Sequence, residues 1–125
     1  MKAVYLLDTV IIIDHLNGIP AATEWLESDG KEKSAISVIT RAEVLAGIEN
    51  DERERVERLL ASFECLTITS TVADKAAELR REYRWKLPDA FQAALTTNHQ
   101  LKLVTRNTRD FPPEKHSFVV VPYTL

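Results

Sequence analysis

Residues 4–7, Val-Tyr-Leu-Leu, form a short apolar run that ends in a single carboxylate, Asp8, and a second apolar stretch, residues 10–13, follows at once. No other feature constrains the fold as much. A short run rich in strand formers and apolar at successive positions suits a strand buried on both faces, and such strands belong to parallel sheets covered by helices on both sides. Residues 34–38, 66–68, 101–105 and 118–121 read as further short strands. Asn17-Gly18 and Asp29-Gly30 close helical stretches, and no pair of that kind joins two strand runs. Crossover connections are therefore expected in place of hairpins.

The segments between the strands carry helical spacing. Residues 10–16 continue apolar on one face and stop at Asn17-Gly18-Ile19-Pro20; residues 21–28 place Ala22, Trp25 and Leu26 on one face. Residues 39–48 read as a helix in which Thr40 and Glu43 fit a capping box. Residues 51–63 form a charged amphipathic pattern, with Val56, Leu59, Leu60 and Phe63 on one side and a solvated face of alternating acids and bases on the other. Ser70-Thr71 caps a helix running to about Tyr83, and Pro88 opens a small-residue helix that ends near Asn98. The expectation is an α/β protein with a mainly parallel sheet, in one domain spanning residues 1–125.

Charge and cysteine usage narrow the setting. A net charge of −3 argues against nucleic-acid binding by bulk electrostatics, unless acids gathered at a metal site account for it and leave local Arg and Lys free. The single cysteine, Cys65, allows no intrachain disulfide and reads as a small core residue, which fits a reduced cytoplasmic protein. No apolar run is long enough to span a bilayer, and no membrane partner is expected.

Three acids stand at expected strand ends or helix starts: Asp8, Glu43 and Asp89. Each has a purely structural reading, as an N-cap, as the closing member of a capping box, and as a charge at the positive end of a helix dipole. In a parallel α/β fold, however, all three come to the carboxyl edge of the sheet, where ligands bind. Three carboxylates in one pocket repel one another unless a cation sits among them, and a hard divalent cation with oxygen ligands, such as Mg²⁺, resolves the conflict. Such a cation supports phosphodiester hydrolysis without histidine. His15, His99 and His116 lack zinc-ligand spacing, and no phosphate-cradling glycine loop or Gly-x-Ser-x-Gly elbow is present. Trp25 reads as core, and Trp85, beside Arg84 and Lys86, as a rim contact.

Leu7-Asp8-Thr9, the stretch from Ile39 through Thr40-Arg41-Ala42-Glu43 to Ile48, Pro88-Asp89-Ala90-Phe91-Gln92-Ala93-Ala94, and Leu103-Val104-Thr105-Arg106-Asn107-Thr108-Arg109-Asp110-Phe111 follow one another in order. In these motifs the chain resembles the PIN-domain ribonucleases, and among them the VapC-type toxins of toxin–antitoxin pairs. The resemblance implies a three-layer α/β/α sandwich and a Mg²⁺- or Mn²⁺-dependent endoribonuclease with Asp8, Glu43 and Asp89 as metal ligands. It further implies a homodimer, an RNA substrate and a cognate antitoxin protein lying across the active-site groove. Many PIN domains carry a fourth carboxylate where this chain has Asn107, which takes the role of holding water or positioning substrate. Asp110 is then a loop-holding residue. Thr9, Arg41, Thr105, Arg106 and Arg109 are candidates for substrate contact, the arginines toward the RNA backbone. The apolar helix faces at residues 10–13 and 44–48 are core first, with any surplus open to a dimer mate or antitoxin.

Two other readings stand beside this one. A different Mg²⁺-dependent phosphotransfer domain, such as a haloacid-dehalogenase-like phosphatase, wants a second Asp where Val10 stands, and a receiver domain wants an acidic pair that Asp8-Thr9 lacks. A catalytically weak scaffold that only binds RNA or protein would have no need of all three acids.

Overall fold

A computed structural model describes residues 2–125. Five strands, β1 (Tyr5–Leu7), β2 (Ser34–Ser37), β3 (Glu64–Leu66), β4 (Lys102–Val104) and β5 (Val119–Val120), form one sheet in the order β3-β2-β1-β4-β5. Every pairing is parallel, with Leu6 opposite both Ala35 and Leu103, and Leu103 opposite Val119. Six helices connect them: α1 (Thr9–Leu16), α2 (Pro20–Ser28), α3 (Val38–Ala46), α4 (Arg53–Ala61), α5 (Ser70–Tyr83) and α6 (Leu87–Asn98). Among the described residues no helix is long and apolar enough to cross a membrane.

The apolar strand runs explain the layers. Successive side chains point to opposite faces, so a strand apolar at every position feeds two cores. Leu6, Ala35, Leu103 and Val119 enter one core with Val72, Ala76 and Leu79 of α5 and Ala90, Ala93 and Ala94 of α6. Leu7, Ile36 and Val104 enter the other, with Ile11 and Ile12 of α1, Trp25 of α2, Val44 of α3 and Val56 and Leu60 of α4. Helices thus cover the sheet on both faces.

Several local expectations shift. The cap of α3 is Ser37, whose hydroxyl accepts from Thr40 N at 3.0 Å; the helix begins at Val38, so Thr40 and Glu43 form no capping box and their side chains are free for other work. Thr69, not Ser70-Thr71, caps α5. The charged segment splits into a 3-10 turn at Asn50–Glu52 and α4, whose exposed face carries the pairs Arg53–Glu57, Arg55–Glu52 and Arg58–Glu54. The third strand lies at Glu64–Leu66, two residues earlier than expected, and as an edge strand it leaves Cys65 exposed outside the core. Trp85 is buried, 5% exposed, against Phe111 and His116; it is core and not rim.

Sequence order and sheet order together locate the site. The chain runs outward from β1 to β2 and β3, then returns to place β4 and β5 on the other side of β1. The reversal leaves a crevice beyond the carboxyl ends of β1 and β4. Asp8 follows β1 and donates its backbone N–H to the Val104 carbonyl at 2.9 Å, and the segment 105–107 follows β4.

Candidate active site

Asp8, a candidate site residue, is the N-cap of α1. In extended backbone conformation it caps α1, its Oδ1 accepting from Thr9 N at 3.0 Å. It is 8% exposed, and its other contacts come from distant elements. Thr105 Oγ1 donates to Oδ2 at 2.6 Å, and Gln92 Nε2 of α6 donates to Oδ1 at 3.3 Å. Hydrogen bonds to both oxygens orient the carboxylate and offset the cost of burying it.

Glu43 reaches the same place from α3. Thr9 Oγ1 donates to Glu43 Oε1 at 2.7 Å and lies 2.9 Å from Thr40 Oγ1, which accepts from Gln92 Nε2 at 3.0 Å. An ionised carboxylate only accepts, so the Thr9 proton goes to Glu43 and Thr40 must donate to Thr9. Protons along the line therefore point one way, from the Gln92 amide through two threonines to Glu43. The line ties α6, α3 and the start of α1 together.

Asp89 stands in the first turn of α6, where the helix dipole favours an anion. Its carboxyl is nevertheless pushed up to about 6, first by burial and then by the negative charges of Asp8, Asp110 and Glu43. Four acids thus share one electrostatic neighbourhood. Among the described residues no three His, Cys, Asp or Glu side chains converge tightly enough to cage a bare ion. A hydrated divalent cation such as Mg²⁺ takes only one or two carboxylates directly and keeps several waters.

The charge conflict has a measurable consequence. The unfolded chain releases the Asp89 proton near its ordinary 3.8, whereas the folded chain keeps it until about 6. Between those values the folded state binds more protons, so stability falls as pH rises and the loss is complete above pH 6. Metal-free protein is expected to melt at a lower temperature at pH 7 than at pH 5, with Asp89→Asn removing the difference. An unchanged difference in that variant would assign it to other groups.

The remaining sequence candidates divide. Thr105 is buried and spends its hydroxyl on Asp8 while accepting Asn107 N at 3.0 Å; it positions the acid. Asn107 Nδ2 donates to Asp110 Oδ2 at 3.0 Å and its Oδ1 accepts Asp110 N at 3.2 Å, so the two residues brace the loop after β4. Arg106 turns away: Nε and Nη2 hold Asp14 at 2.6 and 3.0 Å, and Tyr123 OH donates to Asp14 at 2.8 Å. Arg41 of α3 is half-buried and Arg109 exposed, with no ion pair for either among the described residues.

Sequence reading missed Gln92, Thr40 and the Asp14–Arg106–Tyr123 group. Gln92 had a signal, as a polar residue three positions after Asp89 and so on the same helix face. Its Oε1 is buried with no hydrogen-bond partner among the described residues, a cost of about 1–3 kcal/mol that an apolar residue would avoid. Asp14, 92 positions from Arg106, had none. A larger concavity, about 720 Å³ and lined by Leu26, Leu59 and Phe63, lies at the opposite end of the strands, away from the acids.

The chain is similar to known proteins. The family model of the PIN domain matches residues 5–112. Ribonuclease VapC10 of Mycobacterium tuberculosis is 39% identical over 113 residues, covering 86% of this chain and 85% of that protein. Ribonuclease VapC19 of the same species is 32% identical over 114 residues, covering 86% and 91%. Among solved structures, a toxin–antitoxin complex from Klebsiella pneumoniae contains a chain that superposes with a TM-score of 0.90 at 38% identity, over 97% of this chain and 99% of that one.

Proposed function

We infer function from one premise: the chain belongs to the PIN-domain family, across residues 5–112. It is a metal-dependent endoribonuclease, the toxin of a type II toxin–antitoxin pair, held in check by a cognate antitoxin. It works in the cytoplasm as a single domain of residues 1–125 that pairs into a homodimer. The observation that supports this most directly is the convergence of Asp8, Glu43 and Asp89 from three separate elements on one crevice, where burial first and then the charges of Asp8, Asp110 and Glu43 raise the Asp89 carboxyl.

Asp8 and Asp89 would hold Mg²⁺ or Mn²⁺, with Glu43 beside them. Bound there, the cation would lower the pKa of a water and neutralise phosphodiester charge. The chain's own residues supply orientation. Thr105 and Gln92 hold the two oxygens of Asp8. Thr9 aims Glu43 through the hydroxyl line from Gln92 and Thr40, and Asn107 braces the loop after β4 with Asp110.

Antitoxin-free protein incubated with a panel of structured RNAs, transfer RNA included, tests the reading. Cleavage is expected with Mg²⁺, none with EDTA, and recovery when Mg²⁺ is restored. Equal cutting in EDTA, or no cutting of any RNA with Mg²⁺ bound, would overturn it.

Gln92 gives a sharper check on the positioning network. Gln92→Met keeps the volume and removes the unpaired Oε1, so melting of the metal-free protein should change by less than about 1 kcal/mol. Loss of the amide donor frees Asp8 and Thr40 to reorient, and Mg²⁺ affinity is expected to fall about 10- to 100-fold by calorimetry. Unchanged affinity would reduce Gln92 to a core residue.

A further inference from the structure

A cluster of carboxylates repels the backbone of any RNA it is to cut, so cations close by must hold the strand. Beside the acids lies a cleft of about 200 Å³ bordered by Tyr83, Arg84, Arg109, Asp110, Lys115 and His116. Asp110 joins the cleft to the acid group: its carboxylate accepts from Asn107 at 3.0 Å, Asn107 N donates to Thr105 Oγ1 at 3.0 Å, and Thr105 donates to Asp8 at 2.6 Å. Arg84, Arg109 and Lys115 are all exposed, and none has an ion-pair partner among the described residues. Arg106, by contrast, is consumed by Asp14.

The cleft also carries an aromatic platform. Tyr83 stacks on Trp85, with ring centroids 4.5 Å apart and planes 17° from parallel, yet is 43% exposed. Trp85 covers one face of that ring. Trp85 is itself anchored, its indole N–H donating to the Asp110 carbonyl at 2.9 Å, and His116 meets Tyr83 edge-on at 5.1 Å. The tyrosine therefore presents a ring already fixed in orientation.

An exposed, fixed aromatic ring among unpaired cations is how single-stranded nucleic acid is held: a base stacks, and the cations take the adjoining phosphates. A duplex offers no free base face, and an acidic peptide would use the cations and leave the ring idle. We propose that this cleft is a nucleotide subsite, binding one unpaired base of the RNA next to the scissile phosphodiester by stacking on Tyr83, with the flanking phosphates on Arg84, Arg109 and Lys115. The proposal rests on RNA being cut at the neighbouring acids.

Binding is read separately from cleavage. A labelled single-stranded RNA of about ten nucleotides is titrated by fluorescence anisotropy into full-length protein carrying Asp8→Asn, with Mg²⁺ present, so that the RNA survives. Tyr83→Ala is expected to weaken binding about tenfold or more, and Tyr83→Phe to restore it, because stacking needs the ring and not the hydroxyl. Melting curves confirm that each variant is folded. Replacing Arg84, Arg109 and Lys115 by Gln should flatten the dependence of log affinity on log salt by about 2, at about 0.7 for each phosphate of a single strand that is no longer neutralised. Tyr83→Ala binding as tightly as the parent, or an unaltered salt slope in the triple variant, overturns the subsite. So does an oligoglutamate peptide whose binding depends on the three cations when RNA binding does not, since the cleft would then be a protein-docking surface. Failure of the unsubstituted protein to cut RNA while Tyr83-dependent binding persists would overturn the nuclease reading and leave the subsite standing.

Discussion

Asp8→Asn is expected to reduce RNA cleavage by about a thousandfold, the several kcal/mol that a bound divalent cation contributes to a phosphodiester transition state, while leaving the protein folded. The amide has the shape of the carboxylate, and with its oxygen in the Oδ1 position it still accepts from Thr9 N and Gln92 Nε2, so the cap of α1 and one buried contact survive while the Thr105 contact to Oδ2 is lost. The charge disappears as well. Asp89, whose carboxyl is raised by burial first and by Asp8 next, should titrate lower in the variant. The metal-free variant should accordingly be no less stable than the parent at neutral pH, and its loss of stability between about pH 4 and 6 should shrink. Cleavage assays, Mg²⁺ calorimetry and melting curves separate the possibilities. A variant that cuts at the parent rate shows that the activity lies elsewhere, and one that fails to fold shows that Asp8 is needed first as a cap.

Asp14→Ala is expected to cost about 3 kcal/mol and to lower the melting temperature by about 10 °C. Asp14, with a side chain only 9% exposed, holds Arg106 through two hydrogen bonds and accepts the Tyr123 hydroxyl. These contacts tie α1 to the loop after β4 and to the last residues of the chain. Removing the acid strands a largely buried guanidinium. Because the Arg106 side chain is 28% exposed, the cost falls at the low end of the range for breaking a buried pair. Replacing both partners with apolar residues, Asp14→Leu with Arg106→Met, should recover most of the loss. A double variant as unstable as the single one would show that geometry, and not an unpaired charge, sets the cost. The Arg106 hydrogen bond is also the main reason that the Asp14 carboxyl lies below its ordinary 3.8. That contribution is present above the unfolded value and is lost as pH falls through the folded one, so acid sensitivity below about pH 4 should diminish in Asp14→Ala.

The two residues show how legibility depends on distance along the chain. Asp8 stood out because a strand and the helix after it announce themselves locally and place a lone acid at their junction, where it also caps the helix. Asp14 was unreadable because its meaning is a guanidinium 92 positions away and a C-terminal phenol. Arg106 was misjudged for the same reason, as a free cation when its charge is already spent. Thr40 and Glu43 fitted a local rule, the capping box, that the fold does not use: β2 runs through Ser37, the helix starts one residue later, and both side chains are released to the site. Cys65 followed its usual burial preference only until the sheet order made β3 an edge.

Sequence alone determined the layer architecture and the parallel sheet and picked out three acids as candidates for one edge of it, because strand and helix periodicities and the need to bury apolar side chains act over a few residues at a time. Only the tertiary structure decided which hydroxyls and amides orient those acids, which arginines remain free and where an aromatic ring meets them. Those outcomes depend on pairings across the sheet's reversal between β1 and β4, where residues remote in sequence come within hydrogen-bond reach, and no local pattern records them.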